Sequence, residues 1–428
     1  MGLTASRAPG DPEPEVASSS SAQAAGGEAV EGFSVLVRAL SGRAERLDGL
    51  RPGDPLASLC ERVEALFEVP SGRARLCKGS ELFTVGDLGA SLGDLGLGEG
   101  SELSFVRKAA AGTFELIPTD GVYRGSLKWI SGAAVGGCLY FAPMDAPCIL
   151  CFDVGSGSAG GIATDHLYRG DFKWAAGVAV DGCIFWAPRR APCILKLDTA
   201  TGAASCISTE HIHAARMEGE GSWYGAAAVG GQIFFSPLDA PGILCLDAST
   251  GETRCISTQS LRRGRSKWGG GAAAGGSVYF APRGADCILQ LDVESGIIRG
   301  IETDSIFTGG FFKWGNAVAL DGCVYFAPAG ASCILKLETA TGCVSGISTE
   351  EIYRGDFKWV GGAELDGTIY FAPLQAPCIL CLDPATEQVS CPSARLPTFE
   401  GGMWGCATSL CGDVYFAPLD APGLLRLS

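Results

Sequence analysis

Two runs of alternating apolar and polar side chains, Phe33 to Leu40 and Arg43 to Leu50, flank Ser41-Gly42, and this pattern predicts a β-hairpin. After Asp54-Pro55 the period changes. Leu56, Leu59, Val63, Leu66 and Phe67 recur at helical spacing and predict an amphipathic helix. Short strand-like runs return at 75–77 and 102–106. From residue 112 the pattern becomes a cycle of four short strands. In the fifth copy these are 314–320, 323–327, 333–337 and 343–347, with turns at Asp321-Gly322 and Thr341-Gly342.

The cycle is a true internal repeat. Tryptophan recurs at Trp129, Trp174, Trp223, Trp268, Trp314, Trp359 and Trp404, with spacings of 45, 49, 45, 46, 45 and 45 residues. Fourteen residues after each stands a proline, from Pro143 to Pro418. Four strands in each 45-residue unit are what a β-propeller blade requires. The near side-chain-free first strands, such as 269–276 (GGGAAAGG), suit the crowded axis of such a ring. The seventh unit ends after its third strand, and residues 113–118 (TFELIP) stand at the right distance before Trp129 to supply the fourth. The expected fold is therefore mainly β: a seven-bladed propeller over 109–428, closed three-plus-one by 113–118. The repeats are similar to kelch-like repeats in architecture, although the tryptophan ahead of the glycine pair is a different order from kelch.

Residues 32–108 form a separate small α+β unit, and three segments within it, FSVLVRALSGRA, RLCKGSEL and LGLGEGSELSFVRK, resemble ubiquitin in order. The resemblance covers residues 33 to 108 and implies a β-grasp fold. It also implies an apolar recognition face at Leu40, Cys77 and Val106, with Ser104 where the family has histidine. Ordinary sheet packing is the competing explanation of those three. After Arg107-Lys108 comes Ala109-Ala110-Ala111 in place of a terminal Gly-Gly, so conjugation chemistry does not carry over.

Composition changes this picture at a few points. Glycine is 62 of 428 residues, but without the strict three-residue period of collagen. No apolar run is long enough for a membrane helix. The net charge of −15 disfavours nonspecific nucleic-acid binding. Residues 1–31 are acidic and rich in serine, alanine and glycine, and are expected to be a disordered tether. Within them Met1-Gly2-Leu3-Thr4-Ala5-Ser6 fits the N-myristoylation pattern, which makes Gly2 a lipidation candidate and implies weak, reversible membrane contact. The N-terminus has no apolar signal-peptide core, so a cytoplasmic, reducing location is expected, and the 19 cysteines are expected to be free thiols.

Candidate chemistry is sparse. Cys148/Cys151 and Cys378/Cys381 match CxxC, but in a strand residues i and i+3 point to opposite faces, so packing explains them better than metal. His211 and His213 lie in the one lengthened unit and read as an irregular loop. The aspartates ahead of the Thr-Gly and Ser-Gly turns (Asp153, Asp198, Asp247, Asp292, Asp383) read as turn-formers. The clearest candidate is basic: Lys128, Lys173, Lys267, Lys313 and Lys358 each precede the repeat tryptophan, with Arg124, Arg169, Arg263 and Arg354 nearby. In a ring these would gather at the channel mouth and bind an anion or an acidic peptide. Alternatively the lysine stems pack on the tryptophans with solvated heads. No cofactor and no metal is expected. The pattern points to a monomeric, noncatalytic adaptor or scaffold with protein partners, ubiquitin-pathway receptors or acidic peptides among them. The alternative is an enzyme or a small-molecule-binding propeller with its site at the channel mouth.

Overall fold

The computed structural model describes residues 32–39, 44–67, 74–79, 81–83, 87, 89–107, 113–212, 222–391, 396 and 402–428. Gly2 and the rest of residues 1–31, His213, and Leu40 lie outside them.

Among the described residues there are eight sheets, one five-stranded and seven four-stranded. The five-stranded sheet has the spatial order Ala44–Leu50, Phe33–Ala39, Ser101–Arg107, Ala74–Lys78, Glu81–Leu82, and its second and third strands run parallel. The helix Leu56–Leu66 buries Leu56, Leu59, Cys60 and Val63, the i, i+3, i+4, i+7 stripe of its sequence, against Val35, Val37, Leu47 and Leu103.

Each of the other seven sheets is an antiparallel meander that starts at a repeat tryptophan. The first runs Trp129–Val135, Cys138–Pro143, Cys148–Asp153, Ser158–Ala163, and the seventh runs Trp404–Leu410, Asp413–Pro418, Gly423–Leu427. The fourth strand of the seventh is Phe114–Pro118, paired antiparallel with Leu424 opposite Ile117. First strands of successive sheets adjoin, and Trp404–Leu410 adjoins Trp129–Val135, so the series closes on itself as a β-propeller. Close approach at the axis depends on missing side chains. A Cβ on Gly315 would lie 2.3 Å from the Val360 carbonyl oxygen of the next inner strand. The turn after that strand needs left-handed backbone, which Asp321 (φ 47°) and Gly322 (φ 74°) supply.

Two side chains recur as ties. Every repeat tryptophan is fully buried and donates its indole N–H to the carbonyl nineteen residues on, at the start of or just before the third strand of its own sheet, at 2.8–3.1 Å. The second tie, between sheets, comes from the repeat lysines.

Candidate binding face

The repeat lysines do not form an exposed ring. Lys128, Lys173, Lys267, Lys313 and Lys358 are only 1–3% exposed. The Nζ of Lys128, Lys173, Lys267 and Lys358 donates to the carbonyl of Ala421, Ala146, Ala240 and Ala331, each in the preceding sheet, at 2.8–2.9 Å. The same ammoniums bond the carbonyls of Gly125, Gly170, Gly264 and Gly355 in their own loops. Lys313 instead lies 3.9 Å from Asp286. A lysine ammonium has three donors, and here they satisfy loop carbonyls that burial removes from water. Burial pushes all five below the ordinary lysine value, Lys267 to about 8. Both readings made from sequence, an anion-binding ring and solvated heads, therefore fail, because the neighbouring sheet closes over each head.

The arginines of these loops are exposed, but they do not converge. Arg124 pairs with Asp120 at 3.8 Å, Arg354 donates to the Glu350 carbonyl, and no described contact joins either to Arg169. The tyrosines beside them, Tyr123, Tyr168 and Tyr353, stand edge-on to the repeat tryptophans at 6.2–6.3 Å. In the N-terminal unit Cys77 is buried, with its thiol pushed up to about 12 by that burial, so it presents no recognition face. Leu40 and the Val106 side chain lie outside the described residues.

Cysteine chemistry also departs from expectation. Cys193 is joined to Cys206, linking the third strand to the outer strand of its sheet, and Cys378 is joined to Cys391, just outside the ends of the corresponding strands. In other sheets one partner of this diagonal is glycine: a Cβ on Gly161, Gly300 or Gly346 would lie 2.9 Å from the sulfur of Cys148, Cys287 or Cys333. One sulfur fills the site, and two come within bonding reach. The turn aspartates behave as read, each accepting backbone N–H groups two or three residues on. Among the described residues no group of three His, Cys, Asp or Glu is placed to hold a metal. His211 bonds Thr253 at 3.0 Å.

What sequence reasoning missed lies where the repeat is broken. The residue after the repeat proline is Arg189 in the second sheet and Arg283 in the fourth, but Met, Leu or Ala in the others. The residue after the repeat tryptophan is Tyr224 in the third, but Ile, Ala, Gly or Val in the others. The fold brings these three together: the Arg189 and Arg283 guanidiniums lie 5.6 and 5.5 Å from the Tyr224 ring. The Arg189 and Arg190 guanidiniums both lie over Phe172, 4.6 Å from the ring centroid, and that of Arg283 lies over Phe312 at 4.1 Å. Arg189 and Arg283 are mostly buried, whereas Phe311, 6.0 Å from Arg283, and Phe357, 5.6 Å from Phe312, are 57% and 40% exposed. Phe172 and Phe357 hold left-handed backbone (φ 53° and 50°), rare for a bulky residue. The Phe172 N–H is held by the Asp145 carboxylate of the preceding sheet at 2.6 Å.

Two cavities adjoin this face or the axis. One of about 350 Å³ is lined by Asp239, Arg262, Arg263, Arg265 and Lys267. The other, of about 310 Å³, lies on the axis, with Asn316, Glu364, Thr408 and Ser409 among glycines and alanines of the inner strands.

The architecture is that of a β-propeller with one cationic, aromatic face. No family model matches the chain, and no curated protein matches it. Solved structures match in fold. The chain is similar to the extracellular domain assigned to a one component system of B. thetaiotaomicron (TM-score 0.54, 10% identity, 74% of this chain and 40% of that one). It is also similar to a chain of the Mitotic Checkpoint Complex (TM-score 0.52, 9% identity, 74% and 94%) and to one of Kuenenia stuttgartiensis hydrazine synthase (TM-score 0.50, 12%, 72% and 97%). It spans about two fifths of the first of these.

Proposed function

We propose that the chain is a noncatalytic protein-interaction adaptor whose binding element is the face around Arg189, Tyr224 and Arg283. In this reading the seven four-stranded sheets are seven blades, the last closed three-plus-one by 114–118. The N-terminal unit is a built-in ubiquitin-like module, a reading supported by its sheet order and the helix after its first hairpin. One observation carries the assignment. The repeat lysines, tryptophans and turn aspartates are occupied in holding the scaffold, while the departures from the repeat converge on one face. Scaffold positions answer to packing; a coherent break in the repeat answers to something else. Protein complexes are a known setting for this fold, as the Mitotic Checkpoint Complex neighbour illustrates. The protein acts as a cytoplasmic monomer with reversible membrane contact through an acylated Gly2.

Proximity labelling in cells tests the assignment, comparing wild type with an Arg189→Ala/Arg283→Ala variant and with a chain begun at residue 109. The arginine variant is expected to lose a set of proteins that the wild type labels. Identical sets from all three chains would overturn the reading.

A further inference from the structure

We propose that the cavity at Gly264 is a further binding site, one that takes the aryl phosphate of a phosphotyrosine side chain on a partner protein. It is separate from the Arg189–Tyr224–Arg283 contacts and uses none of those side chains.

The loop ahead of Trp268 departs from the repeat in several places at once. Corresponding loops read Tyr123-Arg124-Gly125-Ser126, Tyr168-Arg169-Gly170-Asp171 and Tyr353-Arg354-Gly355-Asp356, whereas this one reads Arg262-Arg263-Gly264-Arg265. The threonine that opens the loop is followed by Asp120, Asp165, Glu210, Asp304 or Glu350 elsewhere, but by Gln259 here. In the first loop that acid lies beside the arginine, Asp120 to Arg124 at 3.8 Å. With Gln259 in its place, Arg263 has no such carboxylate. Arg263 and Arg265 are exposed, and among the described residues neither makes an ion pair or a hydrogen bond.

The missing tyrosine leaves room. A Cβ on Gly125, Gly170 or Gly355 would meet the ring of Tyr123, Tyr168 or Tyr353 at 2.9, 3.5 and 3.2 Å, but one on Gly264 would meet nothing within 4 Å. Arg262, which stands in place of the ring, pairs with Asp286. The cavity of about 350 Å³ has Gly264 on its wall, with Pro241 and Gln259. At about 30 Å³ per water that is the volume of roughly a dozen waters, so the group that fills it is larger than a bare phosphate.

Charge selects the other end of the ligand. Arg262, Arg263, Arg265 and Lys267 line the cavity against one carboxylate, Asp239, which accepts the Ser266 N–H at 2.7 Å. Asp286 is shared between Arg262 and Lys313. The local excess is therefore about two positive charges, on a chain whose net charge is −15. A phosphate monoester carries about −1.5 to −2 at pH 7, whereas a carboxylate cancels only half of that excess. The Arg263 and Arg265 guanidiniums are planar donor forks of the kind that phosphate oxygens match. A long polyanion would run onto a like-charged surface, so a single phosphate fits better. A phosphotyrosine side chain supplies both the ring that this loop lacks and the dianion that its cations call for.

Anisotropy titration of the full-length protein tests this, with phosphotyrosine flanked by two glycines on each side and labelled with fluorescein. The peptide is expected to bind at least about tenfold more tightly than its unphosphorylated and phosphoserine copies, and less tightly as salt is added. Phenyl phosphate should compete at least about tenfold better than inorganic phosphate. Two variants restore residues that the other loops already carry, so folding is not at stake. Gln259→Glu/Arg265→Asp should weaken the peptide at least about tenfold by cancelling the charge excess, and Arg262→Tyr should do so by refilling the cavity, with circular dichroism unchanged. Equal affinity for either copy, equal competition by inorganic phosphate, or either variant binding like wild type would overturn the proposal. So would capture of vesicles containing phosphatidylinositol 4-phosphate without any binding of the peptide, because the phosphate would then belong to a lipid. If the peptide fails to bind while proximity labelling still depends on Arg189 and Arg283, this inference fails and the adaptor reading stands.

Discussion

Replacing Lys267 with methionine isolates the inter-sheet tie, because methionine retains the apolar stem and removes only the ammonium. In the native protein Nζ donates to the carbonyls of Ala240 at 2.9 Å, Gly264 at 2.9 Å and Leu238 at 3.2 Å. The Leu238 carbonyl keeps the backbone N–H of residue 267, so the variant leaves two carbonyls without a partner, at roughly 1–2 kcal/mol each or about 2–4 kcal/mol together. Opposing this is the burial of the charge itself. A pKa lowered from 10.5 to about 8 corresponds to a penalty on the charged form of about 3–4 kcal/mol, which the variant escapes. Near neutral pH the two terms therefore offset each other to within about 2 kcal/mol, and the tie shows in how the difference changes with pH.

The sign of the pH dependence separates the two terms. The folded pKa lies below the unfolded one, so between about 8 and 10.5 the unfolded chain binds more protons and the wild-type lysine contribution becomes more favourable as pH rises. The gap between wild type and Lys267→Met should widen over that window. Urea unfolding of both proteins, followed by tryptophan fluorescence at several pH values, measures it. A gap that stays constant or narrows, or a variant as stable as wild type throughout, would refute the tie.

Three further outcomes follow from the packing. With denaturant but no reductant, thiol titration should count fifteen reactive cysteines, rising to all 19 after reduction; nineteen at the outset would remove both disulfides. Gly315→Ala, whose Cβ would strike the Val360 carbonyl, should cost about 1–3 kcal/mol in a denaturant melt, while Gly98→Ala, with open space around it, should stay within about 0.5 kcal/mol. Trp359→Phe leaves the Cys378 carbonyl unpaired and a gap in a fully buried site, so a loss of about 2–4 kcal/mol is expected, and an unchanged melting midpoint would contradict it.

The strand periods, the turns and the returning N-terminal strand were all legible along the chain, because each is local or recurs about every 45 residues. The tryptophan series marked the start of every inner strand for the same reason: one environment, copied seven times, imposes one residue type. Environments assembled from two sheets were not legible. A lysine beside a loop arginine reads as surface charge, and only the neighbouring sheet's Ala240 or Ala146 carbonyl shows that its head is enclosed. Cys193 and Cys206 stand thirteen residues apart and meet only through the pairing of the third and fourth strands. Arg189, Tyr224 and Arg283 sit in three different repeat units, each a minor irregularity when read alone. The fold sets these three side chains beside one another, Arg189 and Arg283 at 5.6 and 5.5 Å from the Tyr224 ring. By itself the sequence determined the repeating strand pattern, since periodicity is a property of single segments. Burial, pairing and the meeting of Arg189, Tyr224 and Arg283 were decided by tertiary structure, because they depend on which segments the fold brings into contact.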